Sequence, residues 1–456
     1  MYPPRRSRPW RTGTIPVYLV AHHAKSQLWH ASTLLFGFFL TEACGIDARS
    51  MGWIMAASLL LNGVIDWCVG RWLRDSVTQE MIARRLQARG TALTCGFFLL
   101  FCATPLVPTD ARSAWALATL LGFRATYPLL DVPQNAFAAL LPLGRHARCT
   151  LLAGRNIASG LAAVAVSLVA APMLIGHTGI VGWMIWAGGL SAFVCGTAWW
   201  LARMPAIENM PRPEADAPTP PGLPFSTILC ALAVMIAASA MFRVIEPYYA
   251  AFAADGAGLL LWASVGGTLS QPAWAWCRRR WAESGVLIGA AILLLGAAAT
   301  LSSAQRCSPI GIVLIGSAFG VGSGGLWLML WADMMDRAAR GNATRYVGTF
   351  TCVSKAAQAA AILLTGHVLA ATPYRFAMRD PLSWPSLSMV GALVAIAGVC
   401  LALALAITVS RIPSDGTPAR PHRAGRKGRA PDLQPPARSM AHGVRGASAS
   451  DFPAIR

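Results

Sequence analysis

Charged residues are scarce in this sequence, since Asp, Glu, Lys and Arg make up only 12% of its 456 positions. Soluble domains keep about a quarter of their residues charged, so this composition excludes an ordinary soluble fold. Four apolar runs without any charge reach the ~20 residues that a helix needs to cross a bilayer: 157–175, 285–304, 308–332 and 386–409. The sequence therefore predicts an all-α membrane protein that crosses the bilayer many times.

Acidic residues are scarcer than basic ones, at 19 against 38, which gives a formal net charge of +19. Such an excess can indicate nucleic-acid binding, but the positions of the basic residues argue against it. By sequence, 28 of the 38 lie in segments on one side of the predicted membrane: 1–14, 71–90, 142–149, 203–223, 277–282, 335–346 and the residues after 410. Positively charged loops stay in the cytoplasm. We therefore expect both termini to be cytoplasmic, an even number of spans and no nucleic-acid partner.

Paired cysteines and the common catalytic motifs are also missing. The 11 cysteines stand singly, without a CxxC pair and without the spacing of a metal site. No GxSxG, HExxH or P-loop sequence is present, which argues against an enzyme and against an ATP-driven pump. We expect neither a metal site nor a cofactor.

Twelve helices are predicted from apolar runs that end at charges or at Pro and Gly. They span approximately residues 15–43, 50–73, 91–107, 113–140, 150–175, 179–202, 224–254, 258–276, 284–304, 308–334, 347–370 and 384–410. A Pro-rich, acidic stretch at 204–223 is expected to be a cytoplasmic linker between two six-helix halves, 15–203 and 224–410. Residues 1–14 are expected to form a cytoplasmic N-terminus, and 411–456 a disordered basic cytoplasmic tail.

Asp131 lies in an apolar run between Pro128 and Pro133, where a carboxylate without a partner costs about 2.5–3.5 kcal/mol. The two prolines remove N–H donors from the helix, and bare backbone at membrane depth survives only beside a polar cavity. Arg155 follows 24 residues later, after a short basic loop. We predict that Asp131 and Arg155 face one cavity between helices.

The same order recurs in the second half of the chain. Asp333 is followed 22 residues later by Lys355, again across a basic loop. Repeated halves that share a central site are typical of secondary transporters.

Asp66 and Asn62 lie one turn apart on the second predicted helix, so their side chains share a face. Together with the carbonyls that Pro128 and Pro133 leave without donors, they form a set of hard oxygen ligands for Na⁺ or a site for a proton. The alternative is a structural ion pair between Asp66 and an arginine such as Arg71.

The first and seventh helices offer further candidates. Lys25 and Ser26 can hydrogen-bond a polar solute, although Lys25 is close enough to the membrane surface to reach out of it. Tyr248 can place an aromatic ring in a cavity, with ordinary packing as the alternative, and Arg243 and Glu246 can neutralise each other. Most of the 17 tryptophans fall near predicted helix ends and are expected to mark the membrane interface.

Several of these motifs, in this order, resemble the glycoside–pentoside–hexuronide:cation symporters, the melibiose permease-like group of the major facilitator superfamily. The similar segments are FFLTEACGI, LLNGVIDWCVGRWLRD, LLDVPQNAFAALLP, RHARCTLLAGR, EPYYAAF and ADMMDRAARGNATRYVGTFTCVSK. The resemblance covers about residues 15–410 and implies the major facilitator fold, in which two six-helix halves give alternating access to a central site.

For the solute, the resemblance implies roles at single positions. Asp131 and Arg155 match sugar-contacting residues, and Lys25 matches a functional lysine. Ser26 stands where the family has a sugar-binding aspartate, and Asn135 stands at the position of a tryptophan near the sugar. The predicted substrate-binding residues are Asp131, Arg155, Lys25, Ser26, Asn135 and Tyr248.

For the coupling cation, Asp66 matches one of two paired cation-binding aspartates, and Asn62 stands at the other position. Lys355 matches a second functional lysine. The predicted coupling residues are Asp66, Asn62, Asp131 and Lys355, with H⁺ or Na⁺ as the coupling ion.

The expected function is secondary active transport, by cation-coupled symport, of a sugar or a glycoside-like polar solute across the cytoplasmic (inner) membrane. The expected partners are a small-molecule solute and the lipid bilayer, and the chain is expected to act as a monomer. The alternative is a protein of the same fold that handles lipids or lysolipids, or acts as a sensor, without coupled sugar transport.

Overall fold

A computed structural model describes residues 10–72, 80–140, 145–170, 173, 179–204, 224–252, 259–281, 286, 289–294, 296–297, 308–338 and 342–377. Within these residues the chain is helical, without strands. The predicted linker, the tail and the twelfth predicted span lie outside the described residues, as does most of the ninth. The prediction of an all-α membrane protein is confirmed.

In the part of the chain that the structure describes, twelve helices are labelled here in chain order. They are α1 (Trp10–Leu34), α2 (Ala48–Trp72), α3 (Glu80–Cys102), α4 (Arg112–Leu140), α5 (Arg145–Ala165), α6 (Gly179–Arg203), α7 (Phe225–Phe252), α8 (Leu259–Leu269), α9 (Gln271–Arg280), α10 (Pro309–Ala338), α11 (Ala343–Ala371) and the short α12 (Tyr374–Ala377). After a turn at Leu35, the chain is helical again over Phe36–Phe38 and then forms a π-helical turn, Phe39–Ala43. A second π-helical turn, Val166–Ala170, extends α5, and Thr104–Leu106 forms a 3₁₀ turn after α3.

Six helical segments among the described residues are long and apolar enough to cross a membrane. They are Ala48–Trp72, Arg148–Val169, Gly179–Arg203, Phe225–Ile245, Pro309–Ala338 and Ala343–Ala371. Helices α1 and α4 carry buried polar and charged residues instead of a uniformly apolar sequence, among them Lys25, His30, Arg124 and Asp131. These charged residues face other helices, which is how a membrane protein accommodates them.

Two predicted helix boundaries were wrong. Helix α3 begins at Glu80, about three turns before the predicted start at 91, because the basic residues before 91 end the apolar run without ending the helix. The predicted helix 258–276 is two helices, α8 and α9, separated by the turn residue Ser270. Pro272 lies at the start of α9, where its missing N–H costs little.

Glycines bring α2 and α11 close together. A side chain at Gly63 would come within 3.2 Å of the Cys352 carbonyl oxygen and 3.4 Å of Lys355 Cβ. Gly70 faces Gly348, and Gly52 faces Gly366, along the same pair of helices. Small residues at a crossing allow the backbones of two membrane helices to approach closely. This close approach brings Lys355 of α11 within contact distance of residues on α2.

Candidate functional site

A cavity of about 230 Å³ lies among helices of both halves. Its walls come from α1, α4 and α5 on one side and from α7, α8, α9, α10 and α11 on the other. On α1 the lining residues are spaced by three or four, which places them on one face of the helix. They are His22, Lys25, Ser26, Trp29, His30 and Thr33.

Lys25, Asp131 and Asn135 form one hydrogen-bonded group in the wall. Lys25 Nζ lies 2.7 Å from Asp131 Oδ1 and donates to Asn135 Oδ1 at 3.0 Å. Asn135, one turn further along α4, donates to the same Asp131 oxygen at 2.9 Å. All three residues are buried and line the cavity, and Ser26 lines it beside Lys25.

Lys355 connects this group to a second carboxylate, that of Asp66, which does not line the cavity. Its Nζ lies 2.5 Å from Asp66 Oδ2 and 4.0 Å from Asp131 Oδ2. Asp66 is fully buried and is not one of the lining residues, whereas Lys355 is. The partner of Asp66 is therefore Lys355, and the ion pair with Arg71 is not formed, since Arg71 is exposed and lies over the ring of Trp67.

Asn62 donates a hydrogen bond to a backbone carbonyl that lacks its usual helical donor because of a proline. Pro128 lies within α4 and has no N–H to give to the carbonyl of Arg124, and the Asn62 amide donates to that oxygen instead. The Asn62 amide nitrogen is thereby used, while Asn62 Oδ1 and Asp66 Oδ1 remain buried without a hydrogen bond within the described residues. One turn of α2 thus presents two unpartnered oxygens.

Arg155 lines the same cavity as Asp131 but does not pair with it. Its Nε donates to His22 Nε2 at 3.3 Å, and its guanidinium lies 3.9 Å from the ring centroid of Trp331. Arg155 Nη1 has no hydrogen-bond partner within the described residues. The buried Arg155 guanidinium is therefore contacted by the imidazole of His22 and the ring of Trp331, and not by a carboxylate in the described part of the chain.

Tyr248 lies away from the cavity. Its hydroxyl is 3.0 Å from Thr41 Oγ1, and its ring packs on Phe38 and Tyr374. Asp333 is likewise not a lining residue, and it pairs with Arg337 one turn along α10 at 3.4 Å. The sequence repeat between Asp131 and Asp333 is therefore not a repeat of the site, because only the first of the two reaches the cavity.

Several lining residues were missed by the sequence analysis. Trp29, Trp327 and Trp331 contribute rings to the cavity, although tryptophan was assigned to the membrane interface. Their spacing is a usable signal, since Trp29 lies one turn beyond Lys25 and the other two lie one turn apart. Asn156 and Gln271 were also missed, and they bond across the halves at 2.9 Å.

Two polar clusters connect the halves on either side of the cavity. In the Glu42 cluster, Glu42 after α1 accepts from Arg375 at 3.0 and 3.1 Å and from the Tyr374 hydroxyl at 2.8 Å. These hydrogen bonds to Glu42 raise the pKa of Arg375 above its usual value. In the Asp336 cluster, Asp336 at the end of α10 binds Arg148 at 3.2 Å and Arg278 at 3.1 Å. Contacts show that α5 runs parallel to α1, where His22 meets Arg155 and His30 meets Ser159. It runs antiparallel to α10, where Arg148 meets Asp336 and Arg155 meets Trp331, so the clusters lie at opposite ends of the helices.

Comparison with known proteins gives a family and a fold. A sequence model described as "MFS/sugar transport protein" matches residues 17–415. No match was found among the curated proteins.

Among solved structures, a bacterial homologue of the iron transporter ferroportin, in an outward-facing state with soaked iron, has a TM-score of 0.62 and 11% identity. That match covers 87% of this chain and 99% of the other. The proton:xylose symporter XylE bound to 6-bromo-6-deoxy-D-glucose has a TM-score of 0.60 and 12% identity, over 86% of this chain and 95% of the other. A bacterial homologue of the human drug peptide transporters PepT1 and PepT2 has a TM-score of 0.60 and 12% identity, over 88% and 98%. At these identities the likeness establishes the major facilitator fold alone.

Proposed function

The chain belongs to the MFS/sugar transport protein family and is a multi-pass membrane transporter rather than an enzyme, and we propose that it carries a sugar or a glycoside-like polar solute by cation-coupled symport. One observation carries this proposal: buried acidic and basic side chains from both halves meet around one central cavity. Charges at membrane depth are retained where they bind a solute or an ion.

The proposed solute site combines polar groups with aromatic rings. Asp131, Asn135 and Ser26 offer acceptors and donors for hydroxyl groups, and Lys25 and Arg155 add charge-assisted donors. The rings of Trp29, Trp327 and Trp331 offer flat apolar faces on which a sugar ring can stack. Tyr248 is no longer proposed for this site because its hydroxyl is engaged by Thr41 away from the cavity.

The volume of the cavity bears on the alternative function. At about 230 Å³ it lies below the roughly 300–1,000 Å³ of pockets that hold drug-sized ligands. Its wall also carries Lys25, Asp131, Arg155 and Lys355, whereas an acyl chain needs an apolar lining. A small polar solute therefore fits this site better than a lipid or a lysolipid.

Asp66 is the proposed coupling carboxylate. Its free Oδ1, together with Asn62 Oδ1, offers a place for H⁺ or Na⁺. A cation bound there would compete with Lys355 for the negative charge of Asp66. Lys355 would then move toward Asp131, whose Oδ2 lies 4.0 Å from Lys355 Nζ. Because only one of the two oxygens belongs to a carboxylate, we favour H⁺, since Na⁺ is better held by two negative ligands. In this way the coupling ion at Asp66 and the solute at Asp131 would affect each other through Lys355, which lies near both carboxylates.

Alternating access would require the two end clusters to open in turn. Opening one end breaks the contacts of Glu42 with Arg375, and opening the other breaks those of Asp336 with Arg148. Rocking of one half against the other about the central site is the usual form of such a cycle. We propose an inner-membrane location with both termini cytoplasmic, which places the Asp336 cluster on the cytoplasmic side.

The test is uptake by cells or vesicles that contain the protein, using a panel of radiolabelled sugars and glycosides. Asp131→Asn should abolish accumulation while leaving membrane insertion intact, because the amide keeps the shape of the side chain and removes its charge. A matched control is Asp110→Asn, which changes an exposed carboxylate outside the cavity. Unchanged accumulation of every transported compound in Asp131→Asn would reject the site.

A further inference from the structure

Among the described residues, basic side chains around the cavity outnumber acidic ones. Four of the lining side chains are Lys or Arg: Lys25, Arg155, Arg243 and Lys355. Asp131 pairs with Lys25, and Asp66 pairs with Lys355 from behind the wall. Arg155 and Arg243 are left, and neither forms an ion pair with an acidic side chain within the described residues.

Arg155 has unused hydrogen-bonding capacity. It is 4% exposed, its Nη1 has no hydrogen-bond partner among the described residues, and its Nε donates to the imidazole of His22. A guanidinium carries five N–H donors in a fork that matches a carboxylate or a phosphate. Arg155 is therefore prepared to accept an anionic group from the cavity.

Arg243 enters the cavity from the opposite half, on α7. No hydrogen bond or ion pair of Arg243 is found within the described residues, and Arg243 lines the cavity together with His30. His30 Nε2 contacts Ser159 Oγ at 3.1 Å, and Ser159 lies one turn beyond Arg155 on α5. The two arginines thus line one cavity from opposite halves of the chain.

We propose that the transported solute carries a negatively charged group, a carboxylate or a phosphate, and that Arg155 and Arg243 bind it between the two halves. This proposal rests on the transport function proposed above and narrows its substrate class. An anion would supply the countercharge that the wall lacks, so solute binding would be coupled to the approach of the halves. A neutral sugar would occupy the same space but leave both guanidinium groups unpaired.

The test uses the full chain purified in detergent and matched pairs of probes: glucose with glucuronate, and glucose with glucose 6-phosphate. Acids are added as potassium salts so that Na⁺ is constant, and the thermal shift is measured against concentration. We expect one acidic member to act at a concentration at least about 10-fold lower than its neutral partner, the factor for one charge-assisted hydrogen bond. The pair that shows the preference distinguishes a carboxylate from a phosphate.

Arg243→Gln should reduce that preference to about 3-fold or less, whereas Arg243→Lys should retain most of it because the charge is kept. Arg49→Gln, which changes an exposed arginine in the first turn of α2, is the control for overall charge and should leave the preference unchanged. If no acidic compound is preferred over its neutral partner, or if Arg243→Gln keeps the preference, the proposal is overturned.

Glu246 gives a separate check, since it lies one turn from Arg243 in the sequence. If Glu246 neutralised Arg243, the native protein would show no preference and Glu246→Gln would create one, which would also overturn the proposal. Transport is scored independently by uptake into vesicles. Acid preference without uptake would reject the transport function alone, and uptake of neutral sugars without acid preference would reject the anion site alone.

Discussion

Lys355 on α11 forms a buried ion pair with Asp66 on α2, with 2.5 Å between Nζ and Oδ2. The two residues are 289 positions apart in the sequence and belong to different halves of the chain. Gly63 lies one turn before Asp66 and contacts the backbone of α11, which brings the lysine within reach. Any motion of one half against the other must therefore alter the surroundings of this pair.

The first prediction concerns the stability of this ion pair. Lys355→Met leaves the buried carboxylate of Asp66 uncompensated and should reduce the free energy of unfolding by about 3–5 kcal/mol. Asp66→Asn should cost less, because Lys355 still has Asp131 at 4.0 Å. The double variant should recover much of the loss, since both buried charges are gone. Thermal unfolding in detergent measures all three, and a double variant less stable than Lys355→Met would contradict this account.

The second prediction concerns the coupling ion. Asn62→Asp adds a second carboxylate one turn from Asp66. It lies on the helix face where Asn62 Oδ1 and Asp66 Oδ1 have no hydrogen-bond partner within the described residues. Two carboxylates hold Na⁺ better than one, so this variant should gain a thermal shift with NaCl that is absent with KCl. Asn62→Gln, which adds no charge, is the control. A native protein already stabilised by Na⁺ over K⁺ would contradict the preference for H⁺.

The third prediction concerns the end clusters. Glu42→Gln removes the charge that binds Arg375, and should increase amide hydrogen exchange around residues 41–43 and 374–375. Asp336→Asn should do so around residues 148 and 336 instead, because it breaks the contacts with Arg148 and Arg278. Exchange mass spectrometry reads both ends in one experiment. The same pattern in both variants would show that the clusters do not control separate openings.

The fourth prediction concerns the aromatic wall. Trp331 lies under the Arg155 guanidinium at 3.9 Å, so Trp331→Ala removes a cation–π contact together with a stacking surface. Solute affinity should fall by about 1–2 kcal/mol, or roughly 5- to 30-fold. Trp331→Phe should lose less because it keeps a ring. Trp281→Ala, an exposed tryptophan outside the lining, should leave affinity unchanged in the same titration.

The central residues could be found from the sequence because charge in an apolar run is conspicuous. Asp131, Arg155, Lys25 and Lys355 stand out in this way, and the structure brings all four to one cavity. Tyr248 was predicted because an aromatic ring can line a cavity, but an aromatic residue in an apolar helix packs equally well elsewhere. Trp331 was missed for the converse reason, because a tryptophan three residues from the end of a predicted helix also suits the membrane interface.

The sequence by itself determined the membrane-spanning helices, since about 20 apolar residues can satisfy their backbone in a bilayer only as a helix. It also determined that several buried charges need partners. Only the tertiary structure decided which partners they have: Lys25 meets Asp131, Lys355 meets Asp66, and Arg155 is left with His22 and Trp331. Every cation attracts every carboxylate, so the pairing depends on which helices pack together, as the close glycine contacts of α2 and α11 do for Lys355 and Asp66.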